Sequence, residues 1–129
     1  MNNEKHCSLE ENMQEKLEDI SKLRKKSHQK FLSMNSKTYN AFLEMERVTF
    51  ADGHLPAKEK ELIALGISVV INCESCIQWH TEQASKAGAT EEEVLEAIEV
   101  AIEMRGGPAT VSARLALAVM EKLYEEKVP

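Results

Sequence analysis

Residues that break regular structure are few in this chain and far apart: five glycines and three prolines in 129 residues. A β-sandwich or barrel needs turn signals about every 8–12 residues, and none recur at that interval here. All but Gly66 and Pro129 gather at Asp52-Gly53, Leu55-Pro56, Ala87-Gly88 and Gly106-Gly107-Pro108, leaving helix-length stretches between them. Aromatics make up only 5% of the chain. The rest of the apolar content is mostly Ala, Leu, Ile, Val and Met, which suits helix packing better than sheet packing. The expected fold is therefore all-α, a compact bundle of about six helices. The length fits a single domain over 1–129, large enough to bury a core without disulfide staples.

Periodicity places the helices. Ser8 followed by Glu11 forms a capping-box pattern, and Leu9, Met13, Leu17, Ile20 and Leu23 then recur at steps of three or four, giving a helix over Ser8–Phe31. Its narrow apolar stripe and charged remainder mark residues 1–35 as a helical arm suited to oligomerisation. Tyr39, Phe42, Leu43, Met45 and Val48 predict a second helix over Ser36–Phe50. Pro56, at a first-turn position, leads into a third helix from Ala57 to about Asn72, whose second half, LIALGISVVI, is almost continuously apolar. A fourth runs from about Cys73 to Gly88, where Lys86 and Gly88 supply a C-terminal signal. Thr90 and Glu93 form a second capping-box pattern opening a fifth helix to about Met104. After an Arg105–Pro108 turn, an Ala-rich sixth helix covers Ala109–Glu125.

Charge narrows the function classes. The formal net charge is −6, which does not steer a chain toward nucleic acid. The one basic run, KLRKKSHQK from Lys22 to Lys30, is diluted by polar residues and fits a solvated helix face. No apolar stretch approaches the roughly 18 residues that would span a bilayer, so no membrane partner is expected. The first residues lack the apolar segment of a secretory signal, so the expected location is cytoplasmic, where lone thiols stay reduced.

The segment INCESCIQWH holds the chemistry. Cys73 and Cys76 are three residues apart, which brings both side chains to one face of a helical turn, close enough for a disulfide. Placement at a helix N-terminus lowers a thiol's pKa, because unpaired N–H groups and the helix dipole stabilise the thiolate. On that reasoning Cys73, nearer the helix start, is the better nucleophile. His80 lies four residues after Cys76 and seven after Cys73, on the same face, where an imidazole can relay the thiol proton. Glu61 lies in the polar opening of the third helix. One continuous helix would rotate it about 120° from Cys73. A break near Asn72 would instead fold the two helices into a hairpin and bring Glu61 to the dithiol.

Each feature has a plainer rival. The cysteines alone would pass for two buried small apolar residues. With His80 and Glu61 they offer zinc ligands, although no second CxxC or HxxxH completes a usual site. Trp79 fits packing, Cys7 has no assigned role, and His6, His28 and His54 belong to no constellation.

Taken together, Glu61, Cys73-x-x-Cys76 and His80, followed by KAGATEEEVLEAIEVA and a GGP turn, resemble the carboxymuconolactone decarboxylase-like family, and within it the alkylhydroperoxidase D-like branch. The resemblance spans roughly Tyr39 to Leu123, and the spacing E-x11-C-x2-C-x3-H is its most specific part. It implies an all-helical fold with the CxxC at the start of a central helix, assembled as a trimer or hexamer. It implies a hydroperoxide substrate, attacked by Cys76 to give a sulfenic acid that Cys73 resolves as a disulfide. Glu61 and His80 would form the proton relay. The reductant would be a thiol carrier, a lipoylated or thioredoxin-like protein, with no permanently bound cofactor or metal. One departure stands out: the branch's peroxidase pattern has a histidine immediately before the second cysteine, and this chain has Ser75, which cannot hold a proton charge near neutral pH. The competing functions are a lactone decarboxylase, which would not need the dithiol, and a non-catalytic redox-sensing oligomer.

Overall fold

The computed structural model describes the backbone of residues 2–125 and the side chains of residues 11–125. Every regular element among them is helical: α1 (Asn2–Ser33), α2 (Lys37–Phe50), α3 (Ala57–Val70), α4 (Glu74–Lys86), α5 (Glu91–Arg105) and α6 (Gly107–Glu125). The chain divides into two compact units, Met1–Leu43 and Glu44–Pro129, with α2 passing from the first into the second.

In the first unit, α1 begins earlier than the periodicity suggests, so Ser8 lies inside the helix and its capping role is not realised. The residues before it, NNEKHC, contain no Gly or Pro that would stop a helix. The side chain of Cys7 lies outside the described residues. The α1 C-terminus closes with Asn35 in the left-handed region (φ 50°), and Asn35 N–H and Ser36 N–H donate back to Leu32 O and Phe31 O. Ser36 then caps α2, its Oγ accepting from Tyr39 N–H at 3.1 Å. Phe31 and Tyr39 stack across this corner, ring centroids 4.3 Å apart, and the Tyr39 hydroxyl lies 2.7 Å from His28 Nδ1. The apolar side chains that predicted α2 do not make it a core helix: none of its residues is buried.

In the second unit, α3 packs against α4 and α5, and α6 packs against α4 and α5 in turn. Leu65 and Val69 of α3, Ile77 of α4, Val94 and Ile98 of α5, and Val119 of α6 are almost completely buried between them. Burying side chains of this size stabilises by about 1.5–3 kcal/mol each before the entropy of ordering is subtracted. Ala109, Ala113 and Ala116 let α6 approach closely.

The helix ends follow from local chemistry. The capping box of α5 forms as its sequence predicts: Thr90 Oγ1 accepts from Glu93 N–H at 3.1 Å and Glu93 Oε2 accepts from Thr90 N–H at 2.9 Å. That backbone donor, reinforced by the Lys58 ammonium 2.9 Å away on α3, holds the Glu93 carboxyl below its ordinary pKa. Pro56 is the N-cap of α3 and not part of its first turn, its ψ of 158° being extended. The first free amide, Ala57 N–H, donates to Asp52 Oδ1 at 2.7 Å. The expected four-residue turn before α6 shrinks to Gly106 alone (φ 80°), because Pro108 has a helix-compatible φ and no N–H to waste in a first turn.

The α3–α4 and α4–α5 corners share one design. After α4, Gly88 takes a left-handed φ of 96°, and Gly88 and Ala89 N–H donate to Ser85 and Ala84 O. After α3, Asn72 takes a φ of 54°, and Asn72 and Cys73 N–H donate to Val69 and Ser68 O at 3.2 and 3.1 Å. Both are Schellman closures, which need a residue tolerant of the left-handed region. Tyr124, near the end of α6, secures the second corner: its hydroxyl donates to Ala89 O at 2.5 Å.

Two stability predictions follow. Asn72→Ala places a methyl-bearing residue at the left-handed position and should lower the unfolding free energy in urea by about 1 kcal/mol, while Asn72→Gly should leave it near wild type. Burial raises the Tyr124 hydroxyl above its ordinary value of 10.0, a hydrogen bond with Ser85 opposes the rise, and Glu91, Glu93 and Glu92 add to it. The folded state thus holds this proton more tightly than the unfolded chain. Its contribution is fully present below the unfolded pKa of about 10 and is lost as pH rises through the higher folded value. Thermal melts from pH 9 to 11 should show a decline in wild type that is shallower in Tyr124→Phe.

Candidate functional site

The Schellman closure of α3 determines where the cysteines go. Cys73 is the residue whose amide completes that closure, and it is at the same time the N-cap of α4, with extended φ and ψ of −92° and 97°. Its carbonyl accepts the first bond of α4, from Ile77 N–H at 2.8 Å. No side-chain hydrogen bond from Cys73 caps the helix. Its sulfur is instead joined in a disulfide to that of Cys76, in the first turn of α4, with the two Cα atoms 5.2 Å apart. Both cysteines are half-buried, and Ser75 between them is exposed.

The hairpin expected from a break near Asn72 is the one observed, and it brings α3 alongside α4. Glu61 stands one turn before Leu65 on the buried stripe of α3, and its side chain is 10% exposed. His80 stands one turn after Cys76 on α4, with its side chain 16% exposed. His80 Nδ1 lies 2.7 Å from Glu61 Oε2. A carboxylate only accepts, so Nδ1 carries the hydrogen and donates it. That leaves His80 Nε2 as the position able to accept a proton when the ring is neutral.

Sequence reasoning named Glu61, Cys73, Cys76 and His80, and the structure joins them into two pairs on one helical hairpin. It missed Phe50. The last residue of α2 stacks on the His80 ring, centroids 5.4 Å apart and planes inclined by 26°. Nothing in a single sequence ties position 50 to position 80; the only local hint is an aromatic just ahead of the Asp52-Gly53 break. Asn72 was recognised as a break but not as a left-handed cap. Among the described residues, no group of three or more His, Cys, Asp or Glu is arranged to hold a metal ion. No helix among them is long and apolar enough to cross a membrane.

Comparison with known proteins agrees with this architecture. Residues 36–119 match the family model for the carboxymuconolactone decarboxylase family. A Paracoccus denitrificans protein described only as uncharacterized protein 4 in the cox locus is 45% identical over 84 residues, 65% of this chain and 76% of that one. An uncharacterized Cupriavidus necator protein is 40% identical over 84 residues, 74% of its length. Among solved structures, a carboxymuconolactone decarboxylase family protein from Legionella pneumophila superposes with a TM-score of 0.79 at 33% identity, covering 84% of this chain and 96% of its own. A Thermotoga maritima member of the family, described as a candidate for involvement in an antioxidative response, superposes with a TM-score of 0.76 at 28% identity, covering 84% and 92%. With the family model matching residues 36–119 and the fold shared over 84% of the chain with a solved member, this protein belongs to the carboxymuconolactone decarboxylase family.

Proposed function

We propose that this protein is a thiol-dependent peroxidase of the alkylhydroperoxidase D-like branch, reducing hydroperoxides through its Cys73–Cys76 dithiol. The observation that carries the reading is the pairing on one hairpin of a disulfide at a helix N-terminus with a buried glutamate hydrogen-bonded to a half-buried histidine. A purely structural pair of small apolar residues would have no use for a histidine one turn away held by a buried glutamate. The antioxidative description of the Thermotoga relative points the same way.

In the reduced protein, the Cys76 thiol passes its proton toward His80, which Glu61 orients and whose positive charge Glu61 offsets. The Cys76 thiolate attacks the terminal oxygen of the hydroperoxide. The O–O bond breaks, the alkoxide takes up a proton and leaves as an alcohol, and Cys76 becomes a sulfenic acid. The Cys73 thiol then attacks that sulfur, its proton leaving with the displaced hydroxide as water, and the disulfide forms. A dithiol carrier, lipoylated or thioredoxin-like, returns two electrons by thiol–disulfide exchange. With Ser75 in place of a second histidine, the relay rests on Glu61 and His80 alone. The cycle uses no bound cofactor.

Assembly is part of the same proposal. Ile63 and Ile67 of α3 and its C-cap Ile71 recur at one-turn spacing, each more than half exposed on the single chain. Such a stripe supports the trimer or hexamer that the family resemblance implies.

Stopped-flow and steady-state assays with cumene hydroperoxide and dithiothreitol test the chemistry. Cys73→Ser and Cys76→Ser should each abolish turnover. Dimedone should trap a sulfenic acid on Cys76 in Cys73→Ser and find none in Cys76→Ser; trapping on Cys73 instead would reverse the roles. Glu61→Gln should lower kcat about a hundredfold, within the usual range for a lost acid–base contribution. Full turnover in the doubly substituted Cys73→Ser, Cys76→Ser protein would sink the reading and favour the decarboxylase class. Ile67→Glu should shift the light-scattering mass from a trimer or hexamer toward the monomer.

A further inference from the structure

The Glu61 hydrogen bond holds one atom of the His80 ring, and it restrains the ring plane only as firmly as a single hydrogen bond can. A histidine's outer torsion is broad and roughly two-fold, with no deep staggered wells. Small coupled changes of its two side-chain torsions can therefore tilt the imidazole and redirect Nε2 while Nδ1 stays within reach of Glu61 Oε2. The second constraint comes from Phe50, whose ring lies nearly parallel to the imidazole at 5.4 Å between centroids. We propose that Phe50 is a positioning residue for His80, a flat plate that sets the imidazole plane and aims Nε2 at the dithiol. The inference rests on the peroxidase reading for its rate effect, but not for the geometry it assigns.

Phe50 is suited to this because the chain around it is tied down. It is the last residue of α2, and the short loop after it is closed by one hydrogen bond within the loop and two to the start of α3. Gly53 N–H donates to Leu55 O at 3.1 Å, Lys60 Nζ to Ala51 O at 2.6 Å, and Ala57 N–H to Asp52 Oδ1 at 2.7 Å. Glu61 follows one turn later on α3. One continuous and internally braced segment, from the end of α2 to the first turns of α3, therefore supplies both the edge contact and the face contact to a ring carried by α4. Offset aromatic stacking adds to area burial and favours a flat partner over a branched aliphatic one of similar bulk.

Phe50→Leu keeps apolar bulk and removes the plate, Phe50→Tyr keeps the plate, and Phe50→Met serves as a second plate-free variant should leucine fail to fold. In the full-length protein, the plate-free variant should lose the ring-current shift of the His80 ring protons in NMR spectra, with Phe50→Tyr retaining it. The same variant should lower kcat with cumene hydroperoxide and dithiothreitol about tenfold with little change in KM or Tm, as a small misplacement of a reacting group does, and Phe50→Tyr should restore it. In a His80→Asn background the Phe50 substitution should add nothing, because the two residues act as one unit. Unchanged His80 resonances, wild-type turnover in both plate-free variants, or an undiminished effect in His80→Asn would each overturn the proposal. If the wild-type protein consumes no hydroperoxide, the peroxidase reading fails separately. The ring-current shift, and the rate at which dithiothreitol reduces the Cys73–Cys76 disulfide, then still decide whether Phe50 positions His80.

Discussion

A single left-handed residue sits at the centre of this structure. Asn72 ends α3 by turning its amide back to Val69 O, and the amide of the next residue, Cys73, completes the closure at Ser68 O. Because α4 starts without a linker, the residue that finishes one helix is also the N-cap of the next. A longer connection would let Cys73 drift from the helix start, and an α3–α4 continuation would send Glu61 to another face. The corner therefore decides two things: that the first cysteine stands at the N-cap of a helix, and that a carboxylate twelve residues earlier meets a histidine seven residues later.

The packing of the second unit then places the dyad. Leu65 and Val69 on α3 and Ile77 on α4 are fully buried, and Glu61 and His80 extend the same contacting faces toward the open ends of those helices. A carboxylate at this depth is costly unless it is hydrogen-bonded, and His80 supplies that bond. The imidazole in turn has no intrinsic torsional preference strong enough to hold its plane. Each group of the pair thus supplies what the other needs, and the remaining freedom falls to the aromatic ring on its face.

Much of this was legible in the sequence because it rests on short-range chemistry. The Thr90–Glu93 box, the Gly88 terminus, the helical state of α3 and α5 and the Cys73–Cys76 pairing are all set within a few residues, and all appear as expected. Glu61 was reachable by a conditional step, since only a break at Asn72 could bring it near. The failures have equally local reasons. Ser8 looks like a cap because its pattern is indistinguishable from a helix interior when no breaker precedes it. The start of α6 was set too late because Pro108 signals a turn as readily as a first helical turn. The Phe50–His80 stacking and the bond from Tyr124 to the Ala89 carbonyl join residues far apart in the chain, and no periodicity within a helix encodes such a meeting.

The location of the disulfide bears on whether it is a staple or a working bond. A bridge between residues three apart closes so short a loop that it restricts the unfolded chain little, and stabilisation of the kind long-range disulfides provide is correspondingly small. Its placement favours the opposite state. At the N-cap of α4, a thiolate would receive the helix's unpaired amides and the positive end of its dipole, so the reduced form gains what the disulfide forgoes. Stabilising the reduced form makes a disulfide a better oxidant and an easier target for a reducing partner. A fold that needed this bond for its integrity would be poorly served by such a position; a dithiol that must be re-reduced after each turnover is well served by it.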